Sequence, residues 1–291
     1  MRASQNDSVL SRRDFLATTA ASAALAAMGA GCTDALKCGA ANRKIPVGVQ
    51  LYSVRADCAK DLPGTVAAVA KMGYEGVEFA GYYNYSAKDL RKILDDNGIK
   101  CCGTHTAMDT LSDQNLAATI EFNHIIGNKY LIVPSLAAGG PDPRATWLKH
   151  AERFNVLAEK VRPHGMWVGY HSHAGDFKPI DGQMPWDLLF GNTKPGVIMQ
   201  IDIGNTMGGG GDPIAYLKRY PGRSLTIHLK EYSATNKNAI IGEGDVNWNE
   251  VFTLCETTGH TQWYIIEEEK DAYPPLKGVE LCLKNYKKLR A

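Results

Sequence analysis

Tyr170-His171-Ser172-His173, Ile201-Asp202, Ile227-His228-Leu229-Lys230 and Ile266-Glu267-Glu268-Glu269 are four apolar runs that each end in metal-binding residue types. They follow one another at about 25–40 residues, the length of a strand, a helix and their connections. One such run would carry little weight. Four in succession predict neighbouring strands whose C-terminal ends aim side chains at one point. Imidazole and carboxylate together suit one divalent metal ion, with Mn, Co, Zn, Mg and Fe all open.

Working outward, the chain alternates two kinds of segment. Short runs rich in β-branched residues predict strands at 46–51, 76–79, 99–103, 130–134, 166–170, 197–201, 225–229 and 263–266. Apolar residues at three- and four-residue spacing predict helices at 62–72, 90–96, 116–126, 147–161, 248–255 and 276–289, with a short one at 184–190. Asp212-Pro213 reads as an N-cap followed by proline at the first helical position, opening a further short helix up to Tyr220. Gly73, Gly98, Gly127, Gly165 and Gly259 each stand just before a strand, where a left-handed residue would end the preceding helix. The pattern predicts an α/β fold, a single (β/α)8 TIM barrel over 45–291. An open doubly wound sheet is the alternative.

The chain has 291 residues and a net charge of +1 without a long basic stretch, which argues against a nucleic-acid partner. Residues 1–32 read as a separate export segment. Arg12-Arg13 precedes the alanine-rich run from Ala17 to Ala30, which resembles a twin-arginine signal and implies a periplasmic protein. The run is too short for a membrane-spanning helix of about 20 residues. Gly29-Ala30-Gly31-Cys32 resembles a lipoprotein processing site, although Gly29 departs from the larger residue usual there. A lipid anchor at Cys32 would be the membrane contact. Residues 33–44 read as a linker. Cys38, Cys58, Cys101, Cys102, Cys255 and Cys282 form no CxxC pair, so buried free thiols are expected.

The remaining strand ends supply further candidates. Gln50 and Tyr52 alternate with Val49 and Leu51, so they are expected on one face, as ligand contacts or barrel hydrogen bonds. Glu78, between Val77 and Phe79, needs a partner or a proton, and is expected at the site. His105 ends the third strand as a substrate contact and catalytic candidate. His171 and His173 share a face, and either is a candidate metal ligand. Lys230 shares a face with His228 and would stabilise developing oxyanion charge. Glu267 is favoured over Glu269 because it adjoins the apolar run. His124, His150, His164 and His260 are expected at the surface.

These landmarks, with Gly48-Val49-Gln50-Leu51-Tyr52-Ser53-Val54-Arg55, Gly76-Val77-Glu78 and Gly242-Glu243-Gly244 followed by Trp248, resemble the xylose-isomerase-like TIM barrels, the sugar phosphate isomerase/epimerase superfamily. The resemblance implies one divalent metal on a Glu, Asp, His, Glu set. The last three fall on Asp202, His228 and Glu267; the first falls near His171, where this chain has no glutamate. It implies a small carbohydrate substrate and proton transfer through an enediolate, with Glu267 as ligand and base, His173 or His105 as proton donor and Lys230 on the oxyanion. Isomerase or epimerase activity is the leading expectation. The His-His strand end also resembles the inosose dehydratase branch, so a lyase eliminating from an inosose or a 3-keto-glycoside is the close alternative. A non-catalytic sugar-binding lipoprotein and a DNA-repair endonuclease are the rivals from other classes. A homo-oligomer is left open.

Overall fold

The computed structural model describes residues 44–137 and 139–291. The expected export signal, Cys32, Cys38 and the linker up to residue 43 lie outside the described residues. Among those described, no helix is long and apolar enough to cross a membrane.

Eight strands form one parallel sheet: β1 (Val47–Gln50), β2 (Gly76–Phe79), β3 (Lys100–His105), β4 (Tyr130–Val133), β5 (Trp167–His171), β6 (Val197–Gln200), β7 (Thr226–Leu229) and β8 (Trp263–Ile266). The order is β6-β5-β4-β3-β2-β1-β8-β7. β1 pairs with both β2 and β8, which excludes the open doubly wound alternative, in which strand order reverses at a switch point. The seam between β6 and β7 is closed by Met199 N donating to Arg223 O, His228 N donating to Ile201 O, and a lone bridge between Asp202 and His228. Two of the four expected metal ligands therefore sit on the line that closes the barrel.

The crossover helices are α1 (Leu62–Met72), α2 (Ala87–Asp96), α3 (Leu116–Ile125), α4 (Pro143–Val161), α5 (Pro185–Phe190), α6 (Pro213–Arg219), α7 (Trp248–Leu254) and α8 (Pro275–Leu289). α4 begins four residues before the apolar periodicity does. Asp142 caps it by accepting from Ala145 N and Pro143 takes its first turn, the same device that Asp212 and Pro213 use for α6. Four of the five pre-strand glycines take the left-handed position as expected. The fifth does not: α7 runs on into a π-turn, Cys255–Gly259, so the left-handed residue becomes His260, with φ 55°.

Strand alternation sorts the core into two regions. Val49, Val77, Val168, Ile227 and Ile266 point outward into the layer under the helices. Inside the barrel, Tyr130, Ile132, Ile198 and Leu225 pack with Trp167 and Trp263 as an apolar floor. Trp263 fits because the facing residue is Gly76, where a Cβ would lie 2.7 Å from its ring. Above that floor the inward residues turn polar: Gln50, Glu78, Gln200, Thr226 and His228 are all fully buried. Cys58, Cys101, Cys102, Cys255 and Cys282 are buried free thiols.

Candidate active site

The polar layer is a single hydrogen-bonded assembly built around His228. Its Nε2 lies 2.6 Å from Glu78 Oε2 and its Nδ1 2.7 Å from Glu267 Oε2. Burial alone would lower the imidazolium pKa, but the two carboxylates outweigh it and push it up to about 10. Because Nε2 is engaged by Glu78, Nδ1 is the nitrogen that faces the strand ends, 3.9 Å from Asp202 Oδ2. His171, the last residue of β5, completes the group: ligand atoms of His171, Asp202, His228 and Glu267 all lie within 4.8 Å of one another. The structure thus brings together Asp202, His228 and Glu267 with His171, and leaves His173, the other fifth-strand candidate, outside the group.

Asp202 tests whether a cation fits. Its Oδ1 accepts from Asn205 N at 2.7 Å, capping the short helix Ile203–Gly208. Its Oδ2 is buried with no hydrogen-bond partner, the one carboxylate oxygen so placed among the described residues. Burial pushes its pKa up to about 7, against the pull of Lys230. Leaving a buried acceptor unpaired costs about 1–3 kcal/mol, and more for a charged one. A divalent ion between Asp202, His171, His228 and Glu267 would satisfy it, and a mixed nitrogen and oxygen set suits such an ion.

Gln200 organises the imidazoles and was not among the expected site residues. Its Nε2 donates to Glu78 Oε1 at 2.8 Å and to Thr226 Oγ1 at 3.0 Å, which fixes its oxygen toward the histidines. That oxygen lies 3.1 Å from His171 Nδ1 and 3.3 Å from His105 Nε2. His171 therefore carries its proton on Nδ1 and offers Nε2 to the cluster. The signal was present in the sequence: Gln200 stands two residues before Asp202, on the same strand face, inside an apolar run.

Of the two roles open to Gln50, ligand contact or barrel hydrogen bond, the structure shows the second, and Glu78 is a buried, partnered carboxylate and not a substrate contact. Gln50 and Glu78 are fully buried and lie beneath the site. Gln50 Nε2 donates to Glu78 Oε2 at 2.8 Å, and Glu78 spends its carboxylate on Gln50, Gln200 and His228. Glu78 is thus a carboxylate behind His228, of the kind that would orient a ligand ring and raise its basicity. The predicted shared face of Gln50 and Tyr52 also fails. Gln50 Oε1 accepts from Tyr52 N and caps a turn of 3-10 helix, Leu51–Val54, which swings Tyr52 out to the cavity rim.

Space for Glu78 comes from β3. The β2–β3 register slips between Val77 and Glu78, setting Glu78 opposite Gly103, and a Cβ on Gly103 would lie 2.3 Å from Glu78 Oε1. Gly103→Ala is expected to cost about 1–3 kcal/mol of stability through overpacking. Urea unfolding checks this; an unchanged midpoint would show that the carboxylate moves aside freely.

Around the cluster lies the rim. His105 packs parallel to the His228 ring, with centroids 5.6 Å apart. His173 is exposed and meets His171 edge-on at 5.0 Å. Lys230 Nζ donates to Glu267 Oε1 at 3.0 Å and to Glu269 Oε2 at 2.5 Å. Tyr52, His105, His171, His173, Glu267 and Glu269 line one cavity at the barrel mouth, and Lys230 stands behind its two glutamates. Of the histidines expected at the surface, His124, His164 and His260 are exposed and His150 is partly buried.

Residues 66–289 match the family model described as xylose isomerase-like TIM barrel. The chain belongs to that family. Among curated proteins it is 22% identical over 243 residues to the rhizopine catabolism protein MocC of Rhizobium meliloti, covering 71% of this chain and 74% of that one. It is 22% identical over 245 residues to inosose dehydratase 1 of Bacillus cereus, covering 71% and 81%. Among solved structures, a sugar phosphate isomerase/epimerase from Parabacteroides distasonis superposes with a TM-score of 0.71 at 22% identity, covering 84% of this chain and 98% of that one.

Proposed function

We propose that this xylose-isomerase-like barrel is a metal-dependent enzyme that removes the proton next to the ketone of a sugar, through an enediolate, and then expels an oxygen from the neighbouring carbon. The partnerless, buried Asp202 Oδ2 carries this reading, because it turns four clustered side chains into a site that wants a cation. When bound, a divalent ion there would act as a Lewis acid toward the substrate carbonyl.

The protein's own groups divide the remaining work. Glu267 is buried, but His228 and Lys230 outweigh that burial and hold its carboxyl well below the usual range. It is therefore ionised and in the form that accepts a proton. In the elimination, the C–H bond beside the ketone breaks and its proton goes to Glu267. The C–O bond on the next carbon then breaks, and its oxygen takes a proton from His173 in its imidazolium form, which burial disfavours and the charge of Glu267 favours, leaving an unsaturated ketone. His105 and His171, tethered by Gln200, wall the inner side. Elimination is favoured over epimerisation because His171 stands where a second glutamate falls in the family's epimerases, leaving one carboxylate base at the cluster. The inosose dehydratases among the relatives support the same direction.

A keto-sugar incubated in D₂O with Mn, Co or Zn tests this. Solvent deuterium at the carbon beside the ketone of the recovered substrate, together with an unsaturated product, is expected. Deuterium without that product would move the reading to isomerisation or epimerisation. Neither, across all three metals, would end it.

A further inference from the structure

Gly208-Gly209-Gly210-Gly211 is a run of four glycines, and two of them have a task that only glycine can perform. The run ends the short helix Ile203–Gly208, which Asp202 caps. A Cβ on Gly209 would stand 2.3 Å from Ala174 O, and one on Gly211 would stand 2.7 Å from the Phe177 ring. Both distances are well inside contact, so a larger residue would force the two segments apart. The other two glycines differ. Gly210 takes a left-handed φ of 87°, and a Cβ on Gly208 would meet nothing closer than the Tyr232 ring at 3.9 Å.

Ala174 and Phe177 are the two ends of one turn of 3-10 helix that follows directly on His173. Asp176, within that turn, is buried. Its Oδ2 accepts from His173 N at 2.8 Å, and the Tyr170 hydroxyl donates to its two oxygens at 3.2 and 3.1 Å. Phe177 packs against Trp186 and Tyr216, each with ring centroids 5.3 Å away. On the other side of His173, Ser172 is tied to the same short helix. Asp202 N donates to Ser172 Oγ at 2.8 Å, and Asn205 Nδ2 donates to Ser172 O at 3.1 Å. The segment that Asp202 begins therefore grips the chain on both sides of His173, at Ser172 and at Ala174. The His173 ring itself is exposed, so its place at the rim is governed by the backbone that carries it.

We infer that Asp176, Gly209 and Gly211 are positioning residues of the reaction: they clamp the His173 turn onto the helix capped by Asp202, fix the proton donor relative to the metal cluster, and so decide whether the enediolate expels oxygen or recovers a proton at carbon. The inference rests on the elimination reading, with His173 as donor and Glu267 as base. With the donor in place, the C–O bond breaks and the departing oxygen takes the His173 proton. With the donor displaced, the enediolate takes a proton back at carbon from Glu267 and returns to the starting ketone. Exchange with solvent then continues while elimination stops.

The test uses the full-length, zinc-loaded protein in D₂O with methyl 3-keto-glucoside and an inosose, whose departing groups leave as methanol and water. The quantity read is unsaturated product formed per deuterium incorporated into recovered substrate. Gly209→Ala is expected to lower that ratio at least about tenfold, since a misplacement of about 1 Å can cost about a hundredfold. Exchange itself and zinc content are expected to stay near wild type. Asp176→Ala is expected to act in the same way and carries the test if Gly209→Ala fails to fold. Asp176→Asn, which keeps an oxygen for His173 N, is expected to recover most of the ratio. Gly208→Ala is the control on the same run and is expected to match wild type. Histidine signals of ¹⁵N-labelled protein, assigned with His105→Asn, His171→Asn and His173→Asn, give a reading independent of turnover. Gly209→Ala and Asp176→Ala are expected to move the His173 signal and leave those of His105 and His171 in place. Product and exchange falling together, a His173 signal that stays put, or His105 and His171 signals moving with it, each overturns the clamp. A displaced His173 signal in the variants, where wild type shows neither exchange nor product, would end the elimination reading while the clamp stands.

Discussion

Turnover of Glu267→Gln is expected to fall between about a hundredfold and ten-thousandfold, the range ascribed to a positioned acid or base. Glutamine keeps the shape and one carbonyl oxygen, so it can still accept from one of the two donors, His228 Nδ1 or Lys230 Nζ, which Glu267 meets at 2.7 and 3.0 Å. What it loses is the ability to take a proton. The variant is therefore expected to keep a measurable share of the metal and almost none of the exchange of the proton beside the ketone. Asp202→Asn provides the contrast. Asp202 has no route to the cavity among its lining residues and one buried, partnerless oxygen, so its loss is expected to show first in metal content. Glu269→Gln is the control. That carboxylate stands on the same rim and pairs with Lys230, yet lies outside the quartet. The measurements are metal content by atomic absorption and deuterium exchange at saturating metal. Normal exchange in Glu267→Gln would remove it as the base and leave Glu269 or a histidine to be tested.

How much of this site the sequence disclosed depends on whether a residue's role is set by its own strand or by its neighbours in space. His171, Asp202, His228 and Glu267 were legible because each ends an apolar run, and parallel strands in a barrel end at the same face. Glu78 was legible as a buried carboxylate needing partners, but not as the group behind His228, because that depends on a register slip against Gly103 on the next strand, which no local pattern records. Tyr52 was misplaced for a local reason: a side-chain hydrogen bond from Tyr52 N to Gln50 ends the strand, and alternation does not register it. Gln200 was visible as a polar residue in an apolar strand, yet its two histidine partners come from β3 and β5. The extent of the cavity at the barrel mouth was not legible at all, since its walls come from separate loops and one helix.

Metal binding is expected to expel protons, and the number expelled is expected to change with pH in a way that identifies His228 Nδ1 as a ligand. In the metal-free protein His228 has its pKa pushed up to about 10, so it is an imidazolium across the neutral range. A cation can reach Nδ1 only by displacing that proton. Asp202, pushed up to about 7, adds a second proton below that pH. Burial holds His171 well below its usual range, and Glu267 is ionised, so neither contributes. Affinity should therefore rise about a hundredfold per pH unit below ~7, about tenfold per unit between ~7 and ~10, and level off above. The stability of the metal-free protein runs the other way. A histidine whose folded pKa is raised contributes stability that is fully present below its unfolded value and lost as pH climbs through the folded one. Rising pH thus removes the His228 contribution while strengthening the metal. Glu78→Gln separates the parts: it takes away one of the two carboxylates holding the proton, and the group that orients the ring. Metal affinity should fall about 10–100-fold, and proton release near pH ~8 should drop. Calorimetric titration of zinc in buffers of different ionisation enthalpy reads both quantities. No proton release by wild type near pH ~8 would mean that His228 keeps its proton between Glu78 and Glu267 while the ion binds elsewhere, and the coordination by Nδ1 would have to be abandoned.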